Sequence, residues 1–285
     1  MLTRLLLLFC LFWLLPLAGG AARASEPDGA DIVAQCYYKY WGDDQRTRLR
    51  FTMKNKQGRV TKRRTFIRFW KDYRGQGELV SKVMLFTIAP PEYRQNNFLR
   101  VNYSLSSGKS PEQWLYMKRY QTIRRMTIQE KNNLDWGMIA EDLDVRQLDE
   151  DRHILLKTDH ENDHVIYEVK SVPRVASSIY GRMISHFVRK DSWEDCHLRD
   201  RVYYDKKGKL IKKAQFRWQQ IGNVWLPDTI EIRIERPRNR IFPLKKKIEK
   251  DTDIIYISYR FSDPRVNIGL QDRDFSQRNL RRKMN

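Results

Sequence analysis

Arg48 to Tyr73 reads RLRFTMKNKQGRVTKRRTFIRFWKDY, and its dominant period is two. From Arg48 to Lys54 charged or polar residues alternate with Leu49, Phe51 and Met53, as in a strand with one face buried. Asn55-Lys56-Gln57-Gly58 has turn chemistry, and Val60 to Tyr73 returns as a long strand. The return strand is apolar on both parities: Ile67 and Phe69 occupy one face, Phe66 and Trp70 the other. A sheet built from such strands must bury both faces or hold something on one of them.

Downstream the pattern persists. Arg74-Gly75-Gln76-Gly77 turns the chain into a strand from Glu78 to Ile88, which Pro90-Pro91 ends. Val83 and Leu85 oppose Met84 and Phe86 within it. Phe98 to Leu105 and Trp114 to Met126 read as two more strands. Each gap is too short for a helical crossover, so the strands form an antiparallel meander. Asp135 to Leu148, with Ile139 and Leu143, fits a short helix or helical turn over the sheet; its Glu141, Asp142 and Asp144 read as capping or pairing acids. A second meander follows over His153–Thr158, His164–Val172, Ile179–Arg189, Asp200–Tyr204, Leu210–Ile221, Trp225–Arg236 and Ile254–Phe261. Upstream, Asp28 or Asp31 can cap a helix reaching about Tyr40, with Ile32, Val33, Cys36 and Tyr37 at helical spacing.

The expected fold is therefore mainly β (α+β): a strongly curved antiparallel incomplete β-barrel of about eleven strands, with an N-terminal helix and a short helix covering the concave face. One domain over residues 25–272 is expected, with 273–285 as a basic flexible tail that has little to bury.

Residues 1–24 read as a cleaved signal peptide. Arg4 precedes the apolar run Leu5 to Ala18, and Ala22-Arg23-Ala24 gives a small-x-small cleavage site. The expected location is the periplasm, reached across the inner membrane. The net charge is +20; removing residues 1–24 takes away Arg4 and Arg23 and no acid, which leaves +18. Outside the cytoplasm such an excess suits an anionic membrane surface or another polyanion, or simply a solvated surface, and no nucleic acid is expected. Cys36 and Cys196 are the only cysteines beyond the leader. In an oxidising compartment they can pair as a disulfide or stay as separate buried thiols.

Chemistry-bearing motifs are sparse. His160 and His164, with Asp159, Glu161 and Asp163, would share a face on a helix, but DHEND reads as a hairpin loop, so no metal is expected. Cys196-His197 has no third partner in sequence to make a thiol nucleophile. No nucleophile elbow, phosphate loop or dinucleotide fingerprint occurs. Neither catalysis nor a cofactor is expected.

Four stretches in order carry a family resemblance. Glu112 to Met126 (EQWLYMKRYQTIRRM) resembles a W-x-Y-x-P…RR signature, with Met117-Lys118 where the proline commonly stands, and Trp136 to Leu143 (WGMIAEDL) a G-x-D…D-L stretch. Phe86 to Tyr93 followed by Phe98-Leu99 resembles an F-x-x-P…F-L spacing. Tyr204 to Leu210 followed by Trp225-Leu226-Pro227 resembles a Y-D-x-x-G-K-L…P hairpin. Together they resemble the outer-membrane lipoprotein-sorting proteins, the LolA/LolB-like periplasmic carriers. The resemblance implies a half-barrel whose apolar cavity holds acyl chains of a lipid or lipidated protein and passes them toward the outer membrane or a membrane transporter. It also implies an inner-membrane transporter or an anionic membrane surface as a partner. The alternative is a non-enzymatic envelope adaptor that binds a polyanion or a transporter subunit through its basic surface.

Read on this basis, the candidate cavity wall is Phe66, Trp70, Met84, Phe86, Leu99, Val101, Leu115 and Met117, which could equally be ordinary core beneath the helix. Arg124, Arg125 and Lys118 are the candidate headgroup or membrane contacts, against a reading as solvated strand-edge charge. Lys245-Lys246-Lys247 reads as a peripheral electrostatic patch.

Overall fold

Two meanders are joined back to back through the first and last strands of the chain. The computed structural model describes residues 26–74, 76–126, 146–176, 178–237 and 252–284. The leader, Lys245–Lys247, Glu141, Asp142, Asp144 and most of the helix expected at 135–148 lie outside these residues. Leu148–Glu150 is a single 3-10 turn.

Among the described residues the strands are β1 (Asp44–Lys54), β2 (Val60–Asp72), β3 (Leu79–Ala89), β4 (Asn97–Tyr103), β5 (Glu112–Met117), β6 (Thr122–Arg125) and β7 (Asp151–Glu161), then β8 (His164–Pro173), β9 (Tyr180–Arg189), β10 (His197–Asp205), β11 (Leu210–Ile221), β12 (Val224–Pro237) and β13 (Thr252–Val266). They form one antiparallel sheet in the order β6-β5-β4-β3-β2-β1-β13-β12-β11-β10-β9-β8-β7. It does not close: β6 and β7, neighbours in sequence, are its two edges. The architecture is the expected curved, incomplete barrel.

Turn chemistry explains the hairpins. Asn55 Oδ1 accepts the backbone N–H groups of Gln57 and Arg59 between β1 and β2. Asp205 Oδ1 does the same for Lys207 and Lys209 between β10 and β11. Such side-chain-closed turns fix the register of the strands they join. One expected strand is in fact two. Trp114 to Met126 breaks after Met117, where Lys118–Tyr120 make a 3-10 turn and Gln121 takes φ +51°. The Gln121 amide secures the reversal by donating to the Lys118 carbonyl at 2.8 Å and accepting the Tyr116 hydroxyl at 2.8 Å.

The helix α1 (Gly29–Cys36) starts at an Asp28 cap whose Oδ1 accepts the Ala30 and Asp31 N–H groups, both at 2.8 Å. Ile32, Val33 and Cys36 pack on Tyr167, Val169, Phe187 and Leu198 of β8, β9 and β10. We call this face of the sheet the inner face.

The C-terminal segment is docked, contrary to the flexible tail that composition suggested. Leu270, Phe275 and Leu280 are buried against Ile67, Phe69, Met84, Phe86, Leu99, Val101 and Tyr116 on the opposite, outer face. Asn97 Nδ2 donates to the carbonyls of Leu280 at 2.8 Å and Arg282 at 3.0 Å. Tyr73 donates to Asp272, which Lys82 approaches at 3.6 Å. A few apolar side chains in two short 3-10 turns anchor a segment whose overall charge hides them. Each fully buried Phe or Leu contributes about 1.5–3 kcal/mol.

Candidate functional site

The inner face carries one apolar band across the sheet. Leu49, Phe51, Phe66, Trp70, Val83, Leu85 and Phe98 come from β1 to β4; Tyr180, Met183, Tyr203, Ile232, Ile257, Tyr259 and Phe261 come from the other meander. The β1–β13 pair makes the band continuous, because Leu49 lies opposite Phe261 and Phe51 opposite Tyr259, with the latter two rings 5.5 Å apart.

Basic and amide side chains interrupt this band. Residues paired across strands share a face, which places Arg68 beside Leu85, and Arg100 between Val83 and Gln113. Arg68 and Arg100 are only 6% and 7% exposed. Arg68 Nη1 donates to Gln45 Oε1 at 3.0 Å. On the other meander, Arg201 donates through Nε to Ser185 Oγ at 2.8 Å and lies 5.0 Å from the Tyr37 ring. Lys212 Nζ sits 4.4 Å from the Tyr203 ring and 5.2 Å from that of Tyr180. Aromatic faces favour cations in this geometry. Gln113 has 0% exposure, and among the described residues neither side-chain amide atom has a hydrogen-bond partner. An unmet buried polar group costs about 1–3 kcal/mol.

Parallel rows now describe the inner face of β1 to β5. Asn102, Ser81 and Asp72 form a polar row, in which Asn102 Nδ2 donates to Ser81 Oγ at 2.9 Å. Gln113, Arg100, Val83, Trp70 and Gln45 come next, then Leu115, Phe98, Leu85, Arg68 and Thr47. Beside the polar row, Tyr38 to Trp41 with Trp70, Asp72, Val80 and Ser81 line a small cavity of about 60 Å³.

The structure divides the expected cavity wall. Phe66, Trp70 and Leu115 belong to the inner-face cluster, and Met117, two residues past Leu115, ends β5 on the same parity. Met84, Phe86, Leu99 and Val101 lie on the outer face under the C-terminal segment. Registration explains the division, since Met84 opposes Phe69 and Phe86 opposes Ile67, whereas Val83 opposes Trp70. The inner-face polar residues escaped sequence reading, although their signal was present. With Phe66 and Trp70 assigned to one face, Arg68 between them must share it.

The candidate headgroup residues do not converge. Arg125 pairs with Glu112 on the outer face, 6.0 Å from the Trp114 ring. Arg124 lies opposite Leu115 at the inner side of edge strand β6, and Lys118 sits in the turn, its backbone N–H donating to Asn96 Oδ1. A separate outer-face groove of about 460 Å³ is lined by Lys54, Lys213, Arg233 and Tyr256, among others.

Cys36 and Cys196 form a disulfide, S–S 1.97 Å, tying α1 to the chain just before β10. Its sulfur being bonded, Cys196 is no free nucleophile. His160 and His164 fall on opposite faces of the β7–β8 hairpin, because His160 opposes Val165 whereas His164 opposes Glu161. Among the described residues no group of three or more His, Cys, Asp or Glu side chains could hold a metal ion. No helix among them is long and apolar enough to cross a membrane.

Three of the solved structures that share this fold illustrate the likeness. A domain described as an outer membrane lipoprotein-sorting protein, from Vibrio parahaemolyticus, superposes with a TM-score of 0.70 at 19% identity, over 89% of this chain and 98% of that one. A DUF1329 family protein from Desulfovibrio piger gives 0.71 at 19% identity, over 88% and 97%. A LolA superfamily protein from Nitrosomonas europaea gives 0.61 at 13% identity, over 89% and 100%. No curated protein matches the chain by sequence. A family model described as "Uncharacterized protein" matches residues 80–282, from early β3 to the docked C-terminal segment. The chain therefore belongs to that family, and its fold is LolA-like.

Proposed function

We propose that this protein is a periplasmic, non-enzymatic carrier that holds acyl chains of a lipid or lipidated protein on the inner face of its open sheet and passes them toward the outer membrane or a membrane transporter. One observation carries the reading: a single apolar cluster, with basic and amide side chains set into it, spans from β4 through the β1–β13 seam to β9 on one face of a sheet that does not close. Covering an acyl chain there shields about 0.8 kcal/mol per methylene from water. An unclosed edge between β6 and β7 lets the same surface load and release. The name of the Vibrio parahaemolyticus domain supports the same reading.

Native mass spectrometry of the full, gently purified chain tests it. The expected result is a stoichiometric copurified lipid, or uptake of an added long-chain one. A chain that takes up no acyl ligand overturns the reading.

A second reading, an envelope adaptor for a polyanion or transporter subunit, draws on the basic outer-face groove at Lys54, Lys213 and Arg233. Salt separates the two, because binding at exposed charges weakens steeply with ionic strength and acyl burial does not.

A further inference from the structure

We infer that Gln113, with Arg100 beside it, forms the polar end of the inner-face site and that the ligand there is a single amphiphile with an anionic oxygen headgroup. This rests on the carrier reading and narrows its ligand class.

Gln113 is the starting point. Its amide offers two donors and an acceptor oxygen, it is wholly buried, and both side-chain polar atoms lack partners among the described residues. Buried polar side chains are ordinarily satisfied, so each exception asks what satisfies it in use. Its register partner on β4 is Arg100, whose guanidinium is a planar fork suited to a phosphate or carboxylate. Arg68 adds a second buried cation two strands away. Among the described residues, the inner faces of β3 to β6 present no carboxylate; the first met along the sheet on that face is Asp72 of β2, which lies in the polar row with Ser81 and Asn102. The sign of this patch selects an anion.

The rows also give the ligand a direction. On one side of Gln113 and Arg100 lies the polar row of Asn102, Ser81 and Asp72. On the other lie Leu115, Phe98 and Leu85, followed by Phe66 and Leu49. An amphiphile whose headgroup meets Gln113 therefore lays its chain along the apolar band. A neutral amphiphile gains the same apolar contact without matching the charge.

The test is a titration of the full chain with three probes: a single-chain acyl phosphate, the uncharged monoacylglycerol of equal chain length, and inorganic phosphate. The acyl phosphate is expected to bind about tenfold more tightly than the monoacylglycerol, a difference of about 1.4 kcal/mol. Gln113→Leu is expected to bring the two within about threefold and to leave the melting temperature undiminished, since it breaks no hydrogen bond. Gln113→Glu, of nearly equal size, is expected to reverse the preference. Equal binding of both amphiphiles by the native chain overturns this inference and leaves the carrier reading standing. A preference that survives both substitutions overturns it too. Inorganic phosphate binding as tightly as the acyl phosphate would make the site one for a free anion and defeat the amphiphile assignment. Binding of neither amphiphile defeats the carrier reading and this inference together.

Discussion

Asp44 holds Leu270 by its carboxylate: Oδ2 accepts the Leu270 N–H at 3.0 Å. The same oxygen accepts the Gly269 N–H at 2.9 Å, and Oδ1 accepts that of Ile268 at 2.9 Å. Asp44 opens β1, and Leu270 begins the apolar set that covers the outer face. One buried carboxylate thus sets where the chain leaves β13 and turns onto the sheet.

Asp44→Ala leaves three backbone donors without this acceptor and is expected to cost about 2–4 kcal/mol, given about 1.5–3 kcal/mol for hydrogen bonds to charged groups. Urea denaturation reads the loss. Limited proteolysis is expected to cut first within 268–284, and an uncut C-terminal segment would show that Phe275 and Leu280 hold it without Asp44.

The disulfide closes a separation of 160 residues. Removing it with Cys36→Ala and Cys196→Ala together is expected to cost about 2–5 kcal/mol. Hydrogen exchange should rise first in Gly29–Cys36, because without the disulfide α1 is left with its packing on β7 to β10. Uniform loss of protection across the sheet would contradict that order.

Gly29 begins α1 hard against β7. A Cβ there would lie 2.7 Å from the backbone nitrogens of Ile154 and Leu155, atoms that cannot swing away. Gly29→Ala is expected to destabilise by about 1–3 kcal/mol, as overpacking does. Gly222→Ala is the control for added bulk, since nothing lies within 4 Å there, although its φ of +59° brings a strain of its own. A Gly29→Ala midpoint equal to the native one would place α1 farther from β7.

Two histidines give opposite pH dependences. The Asp200 hydrogen bond, at 2.6 Å, raises the His186 pKa against a lesser pull from burial, with Glu168 adding to the rise. Its stabilisation is full below about pH 6.5 and is lost as pH rises through the folded-state value. Partial exposure keeps it below about 1 kcal/mol. Burial lowers the His153 pKa, while the ring meets Ser171 Oγ at 2.8 Å and the Leu148 carbonyl at 3.1 Å. Stability is therefore lost as pH falls from about 6.5 through that lowered value. His186→Gln is expected to flatten the alkaline side of the melting-temperature profile and His153→Gln the side just below neutrality. A single variant that flattens both would refute the assignment.

Local patterns in the chain specified the strands, hairpins and capped helix, because the signals are short-range: alternation in Arg48–Lys54, Asx-closed turns at Asn55 and Asp205, and the Asp28 cap. They also placed Phe66 with Trp70, and Met84 with Phe86. Alternation sorts the residues of one strand into two sets, but it does not say which set of the next strand shares their face. Only the β2–β3 register did so, putting Met84 with Phe69 on the face that the C-terminal segment covers and leaving Val83 with Trp70. The docked C-terminal segment was hidden for a related reason: Leu270, Phe275 and Leu280 follow no helical or strand period, and their burial depends on a surface some two hundred residues earlier in the chain. The partnership of Arg100 and Gln113 is of the same kind, a cross-strand neighbour relation that exists only once β4 and β5 pair.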